Sequence, residues 1–236
     1  MSVSDGIATQ IKRFTKITPS NASGNGIFSF SQGNPVIRFS IAEQDAMLLA
    51  PETRLQFKFK AFADNTATPS TTIKEASAHN IDSRIGVQSV INTLTISSRR
   101  YATSICEQIH NYNQLVSIAH PTLSSTRDLA TQRNHEQLCV GQGILQRKEQ
   151  GQSEENLYSS VQDTKKLQRK YVQCGGTGTQ NVGEDCSIQL YAGMFQSKNL
   201  DLRLMGGLEI EITLAPDSNV FSNAGANSVY QLSDVI

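Results

Sequence analysis

The fold is decided near the end of the chain by the stretch Met205-Gly206-Gly207-Leu208-Glu209-Ile210-Glu211-Ile212-Thr213-Leu214. From Leu208 onwards every second residue is apolar, and the residues between them are polar, with Glu209 and Glu211 among them. Successive side chains of a strand point to opposite faces, so this alternation predicts a strand that is buried on one face only. We expect the two glutamates on its outer face.

A second stretch, Ala192-Gly193-Met194-Phe195-Gln196-Ser197-Lys198, lies just upstream of the first. Apolar residues also alternate around it, so the sequence predicts three closely spaced strands, at 187–195, 200–204 and 208–214. The strongest patterns of the chain therefore describe strands and turns, and none of them has the form of a catalytic motif.

Four further strands are predicted upstream, because each segment is rich in β-branched or aromatic residues. They lie at 27–30, 36–41, 55–62 and 85–98. Phe57, Phe59 and Phe62 fall in the third of these strands, and they could form an aromatic platform for bases. The alternation of this strand with lysine favours burial of these rings in a core instead.

The apolar period changes after the fourth strand. Apolar residues from Ile105 to Val116 recur at spacings of four and three, with Ile109 and Tyr112 between them. This spacing predicts one side of a helix of about three turns, and the pair His120-Pro121 predicts its end.

A long polar stretch follows at 122–184. It contains a possible strand at 138–145 and a possible helix at 153–172, where Ser153 followed by two glutamates is a favourable helix start. The stretch is too long for an ordinary turn, so we expect an elaborated insertion between strands.

Composition favours an all-β protein of one large domain. The 236 residues have a formal net charge of zero, so the chain lacks the positive field that drives non-specific nucleic-acid binding. Tryptophan is absent and only 18% of residues are charged, which suits strands and polar loops better than a helical bundle. No secretory signal and no apolar run of membrane-spanning length is visible, so we expect a soluble protein made in a reducing compartment.

Several short motifs have the residue types of reactive sites, but each is better explained structurally. The segment His135-Glu136-Gln137-Leu138-Cys139 lacks the second histidine of a zinc site. Cys106 and His110 are four apart on the predicted helix, but no orienting group or oxyanion donor accompanies them. The glycine-rich loop 174–183 lacks the ending of a phosphate-binding loop, and acidic neighbours balance the basic cluster 165–170.

The sequence therefore predicts no catalytic residue, no cofactor-binding residue and no metal ligand. The cysteines are too scattered for a disulfide or zinc framework and are predicted to be free thiols. They are Cys106, Cys139, Cys174 and Cys186.

The order of these features resembles the N-terminal jelly roll of double jelly-roll major capsid proteins, as found in virophages, polinton-like viruses and their relatives. The resemblance covers about residues 36–214. Its motifs are strands 36–41 and 55–62, the run from Asp82 to Ile96, the segment Glu107-Gln108-Ile109-His110-Asn111-Tyr112-Asn113-Gln114-Leu115, and the two stretches quoted first. The chain departs from the family in having Asn199 where proline usually follows the lysine, and in having one jelly roll where the family has two.

The resemblance implies an eight-stranded antiparallel jelly-roll sandwich with one or two helices in loop insertions. It divides the chain into an N-terminal arm at 1–25, a jelly-roll domain at 26–227 with its insertion at 122–184, and a lead-in to a possible second jelly roll at 228–236. We expect the chain to be the first half of a longer polypeptide, or else a single jelly-roll capsid or penton protein.

The function implied is structural, namely a viral capsid protein that forms trimeric, pseudo-hexameric capsomers of an icosahedral shell in the virion. Its partners would be copies of itself and other capsid proteins such as penton or cement proteins, with no cofactor, no membrane span and no specific nucleic-acid site. Glu209 and Glu211 become candidate polar contacts, and the arm is expected to tie neighbours together or to face the interior.

Two other function classes remain open at this point. The first is a jelly-roll recognition module, lectin-like or of penton or attachment type, that binds a ligand through the loops of 122–184. The second is a thiol hydrolase that uses Cys106 and His110.

Overall fold

Strands dominate the part of the chain that the structure describes. The structure is a computed structural model, and it describes residues 14–22, 26–31, 33–44, 47–48, 50–63, 85–100, 104–123, 184–196, 199–221 and 228–236. The strand and helix predicted inside the insertion, at 138–145 and 153–172, lie outside these residues.

The described residues contain nine strands and four α-helical segments. The strands are β1 Val36–Ala42, β2 Met47–Leu48, β3 Leu55–Ala63, β4 Ile91–Ser98, β5 Ile105–Ile109, β6 Glu184–Ile188, β7 Leu200–Asp201, β8 Gly207–Leu214 and β9 Ser228–Ser233. The helical segments are α1 Tyr112–Leu123, α2 Gly193–Gln196, α3 Leu202–Met205 and α4 Asp217–Val220. Two 3₁₀ segments, Ala50–Glu52 and Gly86–Val90, precede β3 and β4.

Every pairing between these strands is antiparallel, and the chain belongs to the all-β class. One sheet has four strands in the order β1-β8-β4-β5, and another has three in the order β6-β3-β9. The short strands β2 and β7 form a separate pair. Strands that are neighbours in space are thus mostly distant in sequence.

Four of these pairings are nested inside one another. β1 pairs with β8, β2 with β7, β3 with β6 and β4 with β5, so each step forward from β1 is matched by a step backward from β8. The β1–β8 pair lies in the four-stranded sheet and the β3–β6 pair in the three-stranded sheet, and the separate β2–β7 pair comes between them in the nested order. The strands within 36–59 therefore run back along the strands within 184–213. They form the two arms of one long antiparallel hairpin, which passes from the first sheet into the second.

The inward faces of both sheets contribute to a single hydrophobic core. The predicted alternation of β8 is confirmed, because Leu208, Ile210, Ile212 and Leu214 are all buried. In β3 the same pattern buries Phe57 and Phe59, as predicted. Burial of each such side chain stabilises the fold by about 1.5–3 kcal/mol.

The glycine pair at the start of β8 is required by a close approach. Gly206 and Gly207 have φ angles of 62° and 92°, which side chains rarely tolerate. A Cβ on Gly207 would also clash with the carbonyl oxygen of Ile41, its near neighbour on β1, and one on Gly206 would clash with Arg100. The pair therefore lets β8 enter the sheet directly from α3.

The predicted helix after β4 begins too early. Ile105 and Ile109 lie in β5, because this segment pairs with β4 and the sheet contact outweighs the helical spacing. Asn111 then turns the chain with a φ of 52°, a conformation that asparagine tolerates, and α1 begins at Tyr112. From there the spacing is correct, since Tyr112 and Val116 are buried, and the helix continues past Pro121 to Leu123.

The two strands predicted at 187–195 and 200–204 are mostly wrong. The first ends at Ile188, and its predicted second half contains α2. In the second, only Leu200 and Asp201 are extended, because the Asp201 side chain accepts hydrogen bonds from the backbone N–H groups of Arg203 and Leu204 and starts α3. The strand predicted at 85–98 likewise begins only at Ile91.

The structure also describes both ends of the predicted jelly-roll domain. Residues 27–30 form isolated bridges at Phe28 and Ser29 rather than the predicted strand. Residues 228–236 contain β9, which pairs with β3 and buries Tyr230 and Leu232 in the same core. The role of these residues as a lead-in to a second jelly roll stays a prediction.

Candidate functional site

Two of the sequence motifs that carry the resemblance, the segment 107–115 and the stretch that begins at Ala192, meet in space. Glu107 of β5 lies beside the first turn of α2, where its carboxylate oxygens accept hydrogen bonds from the backbone N–H groups of Gly193 at 2.7 Å and Met194 at 2.9 Å. The first amides of a helix have no partner within the helix, so a carboxylate there satisfies two of them at once. This contact explains why residues 193–196 form a helical turn rather than a strand.

A buried polar network lies next to this contact. The Tyr112 hydroxyl donates to Gln88 Oε1 at 2.9 Å and accepts from the backbone N–H of Tyr191 at 2.8 Å. Gln88 in turn donates through Nε2 to the carbonyl oxygen of Gln189 at 2.9 Å. Tyr112 and Gln88 are both fully buried, so their polar groups need these partners to avoid an unpaired buried dipole.

Together these contacts form what we call the motif junction, which consists of Glu107, Tyr112 and Gln88 with the backbone of 189–194. It fastens the segment after β6 to β5, to α1 and to the 3₁₀ segment before β4. Each of its polar side chains binds backbone groups of the same chain. The arrangement holds loops in place, which is a structural task.

A second polar contact lies around Asp217, at the start of α4. Its carboxylate accepts hydrogen bonds from Ser31 Oγ at 2.9 Å and from the backbone N–H of Tyr230 at 3.0 Å. The Tyr230 hydroxyl donates to the carbonyl oxygen of Ala215, and its ring stacks on Phe59 with centroids 6.0 Å apart. Asp217 therefore links α4 to β9 and to the turn at Ser31.

Burial raises the pKa of Asp217 above its usual value, although the hydrogen bonds from Tyr230 and Ser31 partly oppose this shift. Burial also raises the pKa of the Tyr230 hydroxyl, and the nearby negative charge of Asp217 adds to that effect. Partial burial thus disfavours the ionised form of the Asp217 carboxylate.

Cys106 and His110 are not arranged as the predicted helix would place them. Cys106 lies in β5 and is exposed, and His110 follows that strand. Residues four apart along an extended chain are separated by about 13 Å, so the helical adjacency on which a thiolate–imidazole pair depends is absent between these two residues. The thiol of Cys106 instead contacts the carbonyl oxygen of Ser104.

The remaining candidates lie outside the described residues, namely the segment 135–139, the basic cluster 165–170 and the glycine-rich loop 174–183. Cys139 and Cys174 also lie outside them, whereas Cys186 is buried and, as predicted, is not part of a disulfide. Among the described residues, no three histidine, cysteine, aspartate or glutamate side chains cluster as metal ligands would. None of the described helices has the length and apolar character needed to cross a membrane.

Glu211 has an intramolecular partner that the sequence did not reveal. Its carboxylate accepts a hydrogen bond from Arg38 Nε at 2.7 Å across the β1–β8 pair, and this contact raises the pKa of Arg38. Arg38 lies opposite Glu211 because of the register between β1 and β8. Glu209 is exposed on the same face.

Comparisons with known proteins add no family assignment. No family model matches the chain, and a search of curated proteins finds no significantly similar sequence.

Replacement of Glu107 by alanine should destabilise the motif junction. The substitution leaves the Gly193 and Met194 amides without their carboxylate, and we expect a loss of about 1–3 kcal/mol in the free energy of unfolding. Urea unfolding measures this loss. The matched control is Gln108→Ala on the same strand, which removes one exposed contact with Thr95 and should cost less than about 1 kcal/mol. Equal effects of the two substitutions would contradict the role given to Glu107.

Asp217 should make stability depend on pH in a defined direction. Because its folded-state pKa is raised above the unfolded value, ionisation weakens the fold, and this penalty is relieved as the pH falls through the folded-state pKa. The side chain at this position in Asp217→Asn is neutral at every pH, so it adds no such pH dependence to the stability of the variant. We therefore expect the stability of the wild type to improve relative to the variant between about pH 7 and about pH 4 in urea unfolding. A wild type that instead loses stability relative to the variant on acidification would show that the Asp217 pKa is lowered.

Proposed function

We propose that this chain is a structural protein of a viral capsid, built on a jelly roll, which self-assembles into trimeric capsomers of an icosahedral shell. The single observation that supports this proposal most strongly is the nested pairing of β1 with β8, β2 with β7 and β3 with β6. A jelly roll is a long antiparallel hairpin rolled into two facing sheets, so its first strand pairs with its last and the inner pairs follow in order.

Further features of the sheets favour the same fold. β8 lies between β1 and β4 in one sheet, while β3 and β6 lie side by side in the other, so the chain alternates between sheets as it advances from β1 to β3 and then to β4. Such alternation is typical of double-sheet antiparallel folds with crossing connections.

The motif junction supports the resemblance independently of topology. The segments 107–115 and 192–198 resemble the family as two separate stretches of sequence. In the structure Glu107 and Tyr112 of the first bind the backbone of the second and of its neighbour Tyr191. A chance match of two unrelated segments gives no reason for such a contact.

The polar chemistry favours a structural role over catalysis. The side chains of Glu107, Tyr112, Gln88 and Asp217 bind backbone groups or Ser31 of their own chain. Residues used in this way position loops, and a shell protein needs loops that are held rigidly at its surfaces. We therefore propose that the chain is not an enzyme.

The surface that we assign to contacts between subunits includes the outer side of α1. Leu115 and Ile118 are exposed there, with Ile118 66% accessible, and residues three apart on a helix are neighbours. A modest apolar contact of this kind becomes sufficient when symmetry repeats it around a capsomer and across a shell.

Self-association tests the proposal directly. We expect mass photometry at rising concentration to detect trimers and larger closed assemblies of the wild type, and we expect Ile118→Asp to shift the population toward monomers. The control is Leu204→Asp, which introduces the same charge at a residue that is 69% accessible on α3, away from α1. A wild type that stays monomeric at all concentrations would contradict the shell role and favour a recognition module that binds through 122–184.

A further inference from the structure

The outer edge of β1 is filled by a short segment of the chain's own N-terminal region. The backbone N–H of Ser20 donates to the carbonyl oxygen of Arg38 at 2.7 Å, and the Ser20 hydroxyl donates to the same oxygen at 3.1 Å. Asn21 supplies the remaining bonds through its side-chain amide, which donates to the carbonyl oxygen of Val36 at 2.8 Å and accepts from the Arg38 N–H at 2.9 Å. The carbonyl oxygen of Val36 and the N–H and carbonyl oxygen of Arg38, which an additional strand would bind, are therefore occupied.

Asn21 acts here as a substitute for a peptide group. Its amide presents an N–H donor and a carbonyl acceptor to β1, as a backbone N–H and C=O would, and it uses them on alternate residues of β1. The segment is not a regular strand, because Asn21 binds β1 through its side chain rather than through its backbone. We call Thr18 to Ala22 the edge segment.

The edge segment is held mainly by hydrogen bonds. Ser20 and Ala22 are exposed, and Asn21 is partly buried. The nearest described apolar contact upstream is Ile17, which is only partly buried against the core. Segments with few buried apolar contacts open locally at a small fraction of the global unfolding free energy.

The chain that follows is anchored to the other sheet. Phe28 exchanges two backbone hydrogen bonds with Leu232 of β9, both at 2.9 Å, and the Ser29 hydroxyl donates to the carbonyl oxygen of Tyr230 at 3.0 Å. Gly26, just before this anchor, has a φ of 60° and open space around it. The anchor therefore stays in place if the edge segment leaves β1.

We propose that the outer edge of β1 is a strand-addition site, and that its occupant between molecules is the edge segment of a second copy of this chain. An exchange of identical segments reproduces every hydrogen bond made within one molecule, so it carries no penalty in the contacts themselves. The balance between the two arrangements then depends on the concentration of other copies relative to the effective concentration of the molecule's own segment.

The hydrogen-bond pattern identifies the second copy as the partner. The site presents an acceptor at Val36 and a donor and an acceptor at Arg38, and the edge segment matches these three groups with Ser20 and Asn21. The segment binds β1 only at Val36 and Arg38, through the backbone and hydroxyl of Ser20 and the side chain of Asn21 rather than through a continuous backbone ladder. The inference does not depend on the shell role, because it concerns only these contacts.

Hydrogen exchange at the Arg38 amide tests the exchange site in the full-length protein. In Asn21→Ala this amide loses its acceptor, so we expect it to exchange roughly tenfold faster than in the wild type or faster still. Addition of a synthetic peptide with the sequence of residues 16–24 should restore slow exchange in the variant. The same peptide carrying Asn21→Ala should not restore it, and Asn199→Ala in the protein, at an exposed residue outside the edge segment, should leave the Arg38 amide slow.

A mixing experiment tests whether the edge segment of a second copy occupies the edge of β1. Isotope-labelled Asn21→Ala protein is mixed with an excess of unlabelled wild type, and protection of the labelled Arg38 amide should rise with the concentration of wild type. The proposal is overturned if neither the peptide nor the wild-type chain restores protection, or if Arg38 exchanges equally fast in wild type and variant. A monomeric wild type in the mass-photometry experiment would reject the shell role, but it would leave the peptide result unaffected.

Discussion

The pairing of β8 with two strands at once is the constraint on which the rest of the structure depends. β8 forms antiparallel ladders with β1 on one side and β4 on the other, and its inward side chains lie at the centre of the core. This position brings β1 and β4 into one sheet, and the same nested order places β2 against β7 and β3 against β6. Loss of β8 from the sheet would leave β1 without a strand neighbour.

Two acidic side chains fix the helical turns that connect β6 to β8. Between β6 and β8 the chain must cross from one sheet to the other within a short distance, and it does so through the turns α2 and α3. Glu107 binds the first amides of α2, and Asp201 binds those of α3. Capping of this kind fixes a turn that has few apolar contacts of its own, and it positions the glycine pair that starts β8.

The sequence predicted β1, β3 and β8 well, because each has a period of two and one buried face, which is a local property. It failed at Ile105 and Ile109, where a helical spacing was overridden by pairing with β4, and at Leu202 and Leu204, where an alternating pattern was overridden by the Asp201 cap. The motif junction and the Arg38–Glu211 pair depend on contacts between residues more than twenty apart in sequence, for which one sequence offers no signal. The edge segment was missed for a similar reason, since its hydrogen bonds to β1 join residues 15 to 18 apart in the sequence.

Amide hydrogen exchange resolved along the whole of β8 tests the central claim most directly. If β8 holds both its neighbours, its amides at Ile210 and Ile212 should exchange only through global unfolding, with the same free energy as amides of β1 and β4. That free energy should also equal the one obtained from urea unfolding of the whole domain. Exchange of β8 at a clearly lower free energy than β4 would contradict the account, because the sheet would then survive without the strand on which it is said to depend.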